Sequence, residues 1–110
     1  MPELPEVETT LKGIQPGITG QTIREVILRH RQLRWPIPQP LPTLLARKKI
    51  IGITRRAKYL LVTFRHGTLL IHLGMSGCLR LLADAPPPRK HDHIDIVFTN
   101  GTVLRYTDPR

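Results

Sequence analysis

Glycine and proline interrupt this chain so often that its aliphatic and β-branched stretches are short, and that punctuation limits what it can fold into. Eleven prolines and eight glycines in 110 residues disfavour a helical bundle, because proline lacks the N–H a helix ladder needs and clashes with the preceding turn. Between the breaks lie seven runs of strand composition: Thr22 to Leu28, Ile50 to Thr54, Tyr59 to Phe64, Thr68 to Leu73, Cys78 to Leu82, Ile94 to Phe98 and Thr102 to Tyr106. Thr99-Asn100-Gly101 separates the last two, and Asn-Gly, which accepts the positive φ angles of a type I′ turn, predicts a hairpin there. Gly74-Met75-Ser76-Gly77 predicts another turn, so the pairing is mainly antiparallel.

The N-terminus follows a different period. Leu4, Val7, Leu11 and Ile14 recur at spacings of three and four, Pro5 suits a first helical turn, and early acids with Lys12-Gly13 late predict an amphipathic helix over about residues 4 to 13. Residues 36–42 hold four prolines and predict an extended connection, followed by a short helical piece around Thr43 to Lys48. Residues 84–90 predict a stiff loop ending in positive charge. One domain over residues 1–110 is expected: mainly β with an N-terminal helix packed on an antiparallel β-sandwich or partly open barrel.

Seventeen Lys and Arg against eight Asp and Glu give a net charge of +9, which calls for a polyanionic partner, nucleic acid first. The cations are spread among strand-like segments and not gathered on one amphipathic helix, which argues against a membrane-surface protein. The start has neither the basic nor the apolar region of a signal peptide, and no apolar run approaches the about 20 residues that span a bilayer. A cytoplasmic location is expected. The single cysteine, Cys78, forms neither an internal disulfide nor a Cys-rich zinc site. His91 and His93 with Asp92 make a weak ligand set, and no metal site is expected.

Several side chains suit chemistry on DNA. Removal of Met1 exposes Pro2 as a secondary amine, and an α-amino pKa of about 7.7–8.0 leaves a neutral, nucleophilic fraction at physiological pH. Its alternative is a helix-start residue. Glu3, beside it, is either a general acid or a carboxylate favoured by the helix dipole; the same dipole accounts for Glu6 and Glu8, of which Glu8 is expected to be solvated. Arg55-Arg56-Ala57-Lys58 reads as a phosphate-binding cluster in which strand alternation lets at most one of the two arginines face the groove. Met75, between Gly74 and Gly77, is placed at a loop tip or as a core filler.

Taken in order, Met1-Pro2-Glu3-Leu4-Pro5-Glu6-Val7-Glu8, Arg55-Arg56-Ala57-Lys58-Tyr59-Leu60, His72-Leu73-Gly74-Met75-Ser76-Gly77, Lys90-His91-Asp92-His93 and Arg105-Tyr106-Thr107-Asp108-Pro109-Arg110 resemble the N-terminal domain of bacterial formamidopyrimidine-DNA glycosylase. The opening is closer to that enzyme than to its relative endonuclease VIII, which usually has Gly at the fourth position. The resemblance implies base-excision repair of oxidised purines (formamidopyrimidine, 8-oxoguanine): a glycosylase and abasic-site lyase working through a proline Schiff base with β,δ-elimination. It implies Pro2 as nucleophile, Glu3 as general acid, Glu6 as a supporting carboxylate and Lys58 as the lysine that touches phosphate and assists elimination. It also implies DNA contacts from Lys90, His91, Arg55 and Arg56. Met75 and Arg110 fill the gap left by a rotated-out nucleotide, an apolar wedge offsetting an unstacking cost of a few kcal/mol. His93 is expected to face the sheet interior or make a structural hydrogen bond.

The implied partner is double-stranded DNA with oxidised purines or abasic sites, and the implied location the bacterial nucleoid. The resemblance covers under half of a family member. The helix-two-turn-helix module and the zinc finger with its four cysteines have no counterpart here, so no cofactor is expected in this chain and weak or no activity on intact duplex is. A sandwich cut before its last strands also predicts self-association through an exposed sheet edge. A basic DNA-binding module without chemistry is the alternative.

Overall fold

The computed structural model describes residues 4–29 and 40–109. Helix α1 (Leu4–Ile18) opens the chain. Val7, Leu11, Ile14 and Ile18 are all buried and carry the helix five residues beyond the stop expected at Gly13. Burying Ile14 and Ile18 is worth roughly 2 kcal/mol each, more than a helical glycine costs. Pro16 is tolerated because Lys12, Gly13 and Pro16 lie on the exposed face, where water serves the Lys12 carbonyl that loses its donor. The helix ends instead at Gly20, which takes the left-handed conformation (φ 83°).

Among the described residues seven strands follow: β1 (Ile23–Leu28), β2 (Gly52–Arg56), β3 (Tyr59–Phe64), β4 (Gly67–His72), β5 (Cys78–Leu82), β6 (Asp92–Phe98) and β7 (Val103–Thr107). All pair antiparallel, in a four-stranded sheet ordered β1-β6-β7-β5 and a three-stranded sheet ordered β2-β3-β4. Leu60, Val62 and Phe64 of β3 and Ile96 and Phe98 of β6 alternate into one shared core, which α1 closes by packing on β2, β3 and β5. The expected mainly-β architecture with an N-terminal helix is thus the one observed.

Helix α2 (Leu41–Leu45) begins and ends earlier than the expected 43–48 piece. Pro42 sits in its first turn, where its missing N–H has no partner to lose, so the extended connection expected over 36–42 is already over by then; residues 36–39 lie outside the described ones. The β6–β7 hairpin forms at Asn100-Gly101 but not as a type I′ turn, since Gly101 (φ 91°) has positive φ and Asn100 does not. Asn100 Oδ1 instead accepts from the Thr102 amide (3.0 Å) and hydroxyl (2.7 Å), and the Gly101 amide donates to Phe98 (2.9 Å), so the side chain shapes the turn.

The outer face of the four-stranded sheet buries a charge cluster. Arg105 on β7 donates Nε (2.9 Å) and Nη2 (3.0 Å) to Asp95, directly across on β6, and Nη1 to the Pro86 carbonyl (2.8 Å); Arg29 Nη2 adds a third bond to Asp95 (2.9 Å). The expected stiff loop of residues 84–90 is therefore closed down on the sheet. Burial pushes the Asp95 carboxyl up, but the bonds from Arg105 and Arg29 outweigh it and hold its pKa below the ordinary value. Asp92 is also lowered, first by the Arg89 amide and then by the Thr107 hydroxyl. Tyr106 is pushed up by burial and by its bond to Asp108.

Stability should follow those directions. The Asp92 and Asp95 contributions are complete above the unfolded carboxylate pKa of about 3.9 and are lost as pH falls through their lower folded values; that of Tyr106 is complete below about 10 and is lost as pH rises through its higher folded value. Thermal melts are expected to hold a plateau between about pH 5 and 9 and fall on both sides. Asp95→Asn should lower that plateau by about 3 kcal/mol and soften the acid limb, since it leaves the buried Arg105 with only the more distant Asp92 carboxylate, 3.8 Å away, as counter-charge. An unchanged plateau in the variant would contradict this.

Candidate functional site

The loops at one end of the sandwich carry the residues singled out from sequence. Arg56 pairs with Tyr59, which makes Ala57-Lys58 a two-residue hairpin loop, and Tyr59 pairs with His72 at the end of β4. The next five residues, 73–77, cross to β5, whose first residue Cys78 pairs with Thr107 at the end of β7; Thr107 in turn pairs with Asp92 at the start of β6. Strand register therefore gathers the Lys58 turn, the Met75 crossing and the His91 segment at one end.

Lys58 sits in the turn itself, one residue before β3. Ala57 is held at φ 53°, a conformation that costs an L-residue about 1–2 kcal/mol. Arg55 supplies the restraint: its Nε donates to Glu8 on α1 (2.7 Å) and its Nη1 to the Ala57 carbonyl (2.9 Å). Glu8 is thus paired, not solvated as expected, and Arg55 is engaged inside the protein while Arg56 is exposed. The pair ties the second turn of α1 to the Lys58 hairpin. Glu6 is exposed in the first turn of the helix.

Met75 is exposed at the tip of its crossing, with 63% of its surface accessible, and not packed in the core. Asp108, just past β7, holds that crossing: Ser76 donates to its Oδ1 (2.6 Å) and the Tyr106 hydroxyl to its Oδ2 (2.9 Å). The Gly77 amide donates to the Leu73 carbonyl (2.9 Å), and Tyr106 packs so closely that a Cβ on Gly77 would meet both that carbonyl and the ring. His72 Nδ1 accepts from the Gly74 amide (3.2 Å), and its ring lies 4.9 Å from that of Tyr59.

A bulge between Asp92 and Ile94 buries Asp92 and His93 together. His93 Nε2 lies 2.6 Å from the Asp108 carbonyl, the structural hydrogen bond expected of it. His91 is half-buried with its carbonyl accepting from the Asp108 amide (3.0 Å), and Lys90 beside it is exposed. Among the described residues no group of three or more His, Cys, Asp or Glu is placed to hold a metal ion. The single cysteine, Cys78, is exposed. Pro2, Glu3 and Arg110 lie outside the described residues. Ser76, Tyr106 and Asp108 were missed as supports, although an Asp-Pro step directly after a strand is a signal for such a buttress.

The whole chain, residues 1–110, matches the family model described as the formamidopyrimidine-DNA glycosylase N-terminal domain. It is 56% identical over 110 residues to the formamidopyrimidine-DNA glycosylase of Stutzerimonas stutzeri and 57% identical to that of Psychromonas ingrahamii, covering all of this chain and 41% and 40% of theirs. The chain thus spans about two-fifths of these relatives' length. A crystal structure of the Lactococcus lactis enzyme in complex with abasic-site DNA is similar over 99% of this chain and 41% of that one, with a TM-score of 0.88 and 35% identity.

Gly77→Ala should displace the crossing, because the added methyl meets backbone as well as ring. A loss of about 1–3 kcal/mol in denaturant unfolding is expected, with shifted NMR signals for Met75 and Tyr106. Wild-type stability with unmoved signals would contradict the packing described.

Proposed function

This chain belongs to the formamidopyrimidine-DNA glycosylase family, as the N-terminal domain, and we propose that it carries that domain's share of base-excision repair: attack on the damaged nucleotide's sugar in duplex DNA. The observation that carries the reading is the convergence of Lys58, Met75 and His91 at one end of the sandwich, with α1 tied to that end through Glu8 and Arg55. On a +9 chain this end offers cations, an apolar tip and a tie to helix α1. The L. lactis relative binds abasic-site DNA and formamidopyrimidine-containing DNA. No described helix is long and apolar enough to cross a membrane. The site of action is the nucleoid of a bacterial cytoplasm.

In this reading the Pro2 amine, freed by removal of Met1, attacks C1′ of an oxidised-purine nucleotide. Its nitrogen–carbon bond forms as the bond from C1′ to the base breaks, the amine's proton passing through solvent to the departing base, and Glu3 delivers a proton to the sugar ring oxygen as the ring opens. The resulting iminium is cationic without an added proton. Loss of a C2′ proton sends electrons toward it and expels the 3′-phosphate, and a further elimination releases the 5′-phosphate. Lys58, held in a tight turn with little freedom, contacts the phosphate and assists these steps, and Glu6 supports the carboxylate side. Met75 and Arg110 fill the space left in the stack, Lys90, His91 and Arg56 line the path of the backbone, and Arg55 acts behind them by holding the Lys58 turn. The domain needs no cofactor for this chemistry.

Borohydride trapping tests it. Incubated with a duplex holding one abasic site and reduced, the chain should form a covalent adduct when mass spectrometry shows Met1 removed, and none when Met1 is retained. Lys58→Ala should keep the adduct and lower strand cleavage at least tenfold. A folded chain with Pro2 exposed that binds DNA yet traps nothing would replace this reading with that of a basic DNA-binding module. Lesion choice on intact duplex depends on the flipped base being held, so activity there is weaker than on abasic sites.

Strands β4 and β5 are sheet edges, and Leu70 on β4 is exposed, so self-association through an edge accompanies the function. Sedimentation velocity should give a weight-average mass that rises with concentration above 12.6 kDa. A monomer across the range would remove this element alone.

A further inference from the structure

At the end of the sandwich away from Lys58 and Met75, helix α2 and the β3–β4 turn enclose an open groove of about 760 Å³. Five large hydrophobic side chains are exposed among the described residues; Tyr59 and Met75 belong to the site already described, and two of the others, Leu44 (57% accessible) and Ile51 (55%), line this groove. Phe64 and Leu45 continue its floor into the core. Around this apolar floor stand Arg47, Lys48, Lys49 and Arg65, all exposed. None of the four has a hydrogen-bond or ion-pair partner for its side chain among the described residues, and no residue lining the groove is acidic. Residues 30–39, which precede α2, contain no Asp or Glu to neutralise them.

We propose that this groove docks a short acidic segment of a partner protein, anchored by one or two large apolar side chains. Four unneutralised cations supply the attraction for carboxylates, and the exposed leucine and isoleucine supply the anchor sites. DNA fits less well. Its backbone matches the cations but offers nothing apolar to cover Leu44 and Ile51, whose burial is what a protein segment gains. Strand β3 separates the two ends: from Tyr59 to Phe64 it runs about 17 Å, so the groove and the DNA-facing end are occupied independently.

The probe is a fluorescent synthetic peptide of Asp and Glu with one Phe and one Leu, measured by anisotropy, with acetylation of lysines read by mass spectrometry. Binding should slow acetylation of Lys48 and Lys49 at least threefold while leaving Lys58 unchanged. Duplex DNA should do the reverse. Replacing the peptide's Phe and Leu by Ser, or Leu44 and Ile51 of the chain by Asp, should weaken binding at least tenfold; both residues are exposed, and melting temperatures check that the variants fold. Equal binding by the serine peptide, protection of Lys48 and Lys49 by DNA, or no peptide binding would each overturn the proposal. Failure of DNA to protect Lys58 bears on the repair reading alone.

Discussion

The Asp108 carboxylate is the fastening on which the working end of this molecule depends. A chain that crosses from one sheet to another in five residues has little freedom at the crossing, and here the crossing must also present an exposed methionine. One carboxylate meets both needs, with Ser76 on one oxygen and Tyr106 on the other, while its own backbone is bound by His91 and His93. Three loops from different parts of the chain thereby share a single anchor. Without it each would be an ordinary surface loop with its own preferred conformation.

The Lys58 hairpin is held by the same logic on a smaller scale. A strained alanine in a two-residue turn persists only when its surroundings over-determine it, and the arginine that bonds both the turn and the helix does so. Arg55 is therefore part of the frame that holds the turn. Its neighbour Arg56 is exposed.

Strand content was legible because the runs are bounded by glycine, proline and turn residues; Tyr59–Phe64 and Cys78–Leu82 have the limits read from sequence. The end of α1 was not, because Gly13 and Pro16 are local stop signals whereas the burial of Ile14 and Ile18 is a tertiary effect. The Asn100 turn misled for a related reason: the side chain's hydrogen bonds, not its tolerance of positive φ, shape it. At the candidate site, Lys58, Met75 and His91 were legible as local motifs. The Glu8–Arg55 and Ser76–Asp108 bonds join residues 47 and 32 positions apart, which no local pattern announces.

The proline loop over the four-stranded sheet has a dynamic consequence. Because the Pro86 carbonyl is bonded to an arginine that also holds Asp95, lifting the loop strips a ligand from a buried ion pair and admits water to it. Such an opening costs Arg105 one hydrogen bond, which the fraying of an ordinary surface loop does not. The Pro86 carbonyl and the Arg89 amide therefore couple the opening of this exposed loop to the ion pairs of the β6–β7 hairpin beneath it.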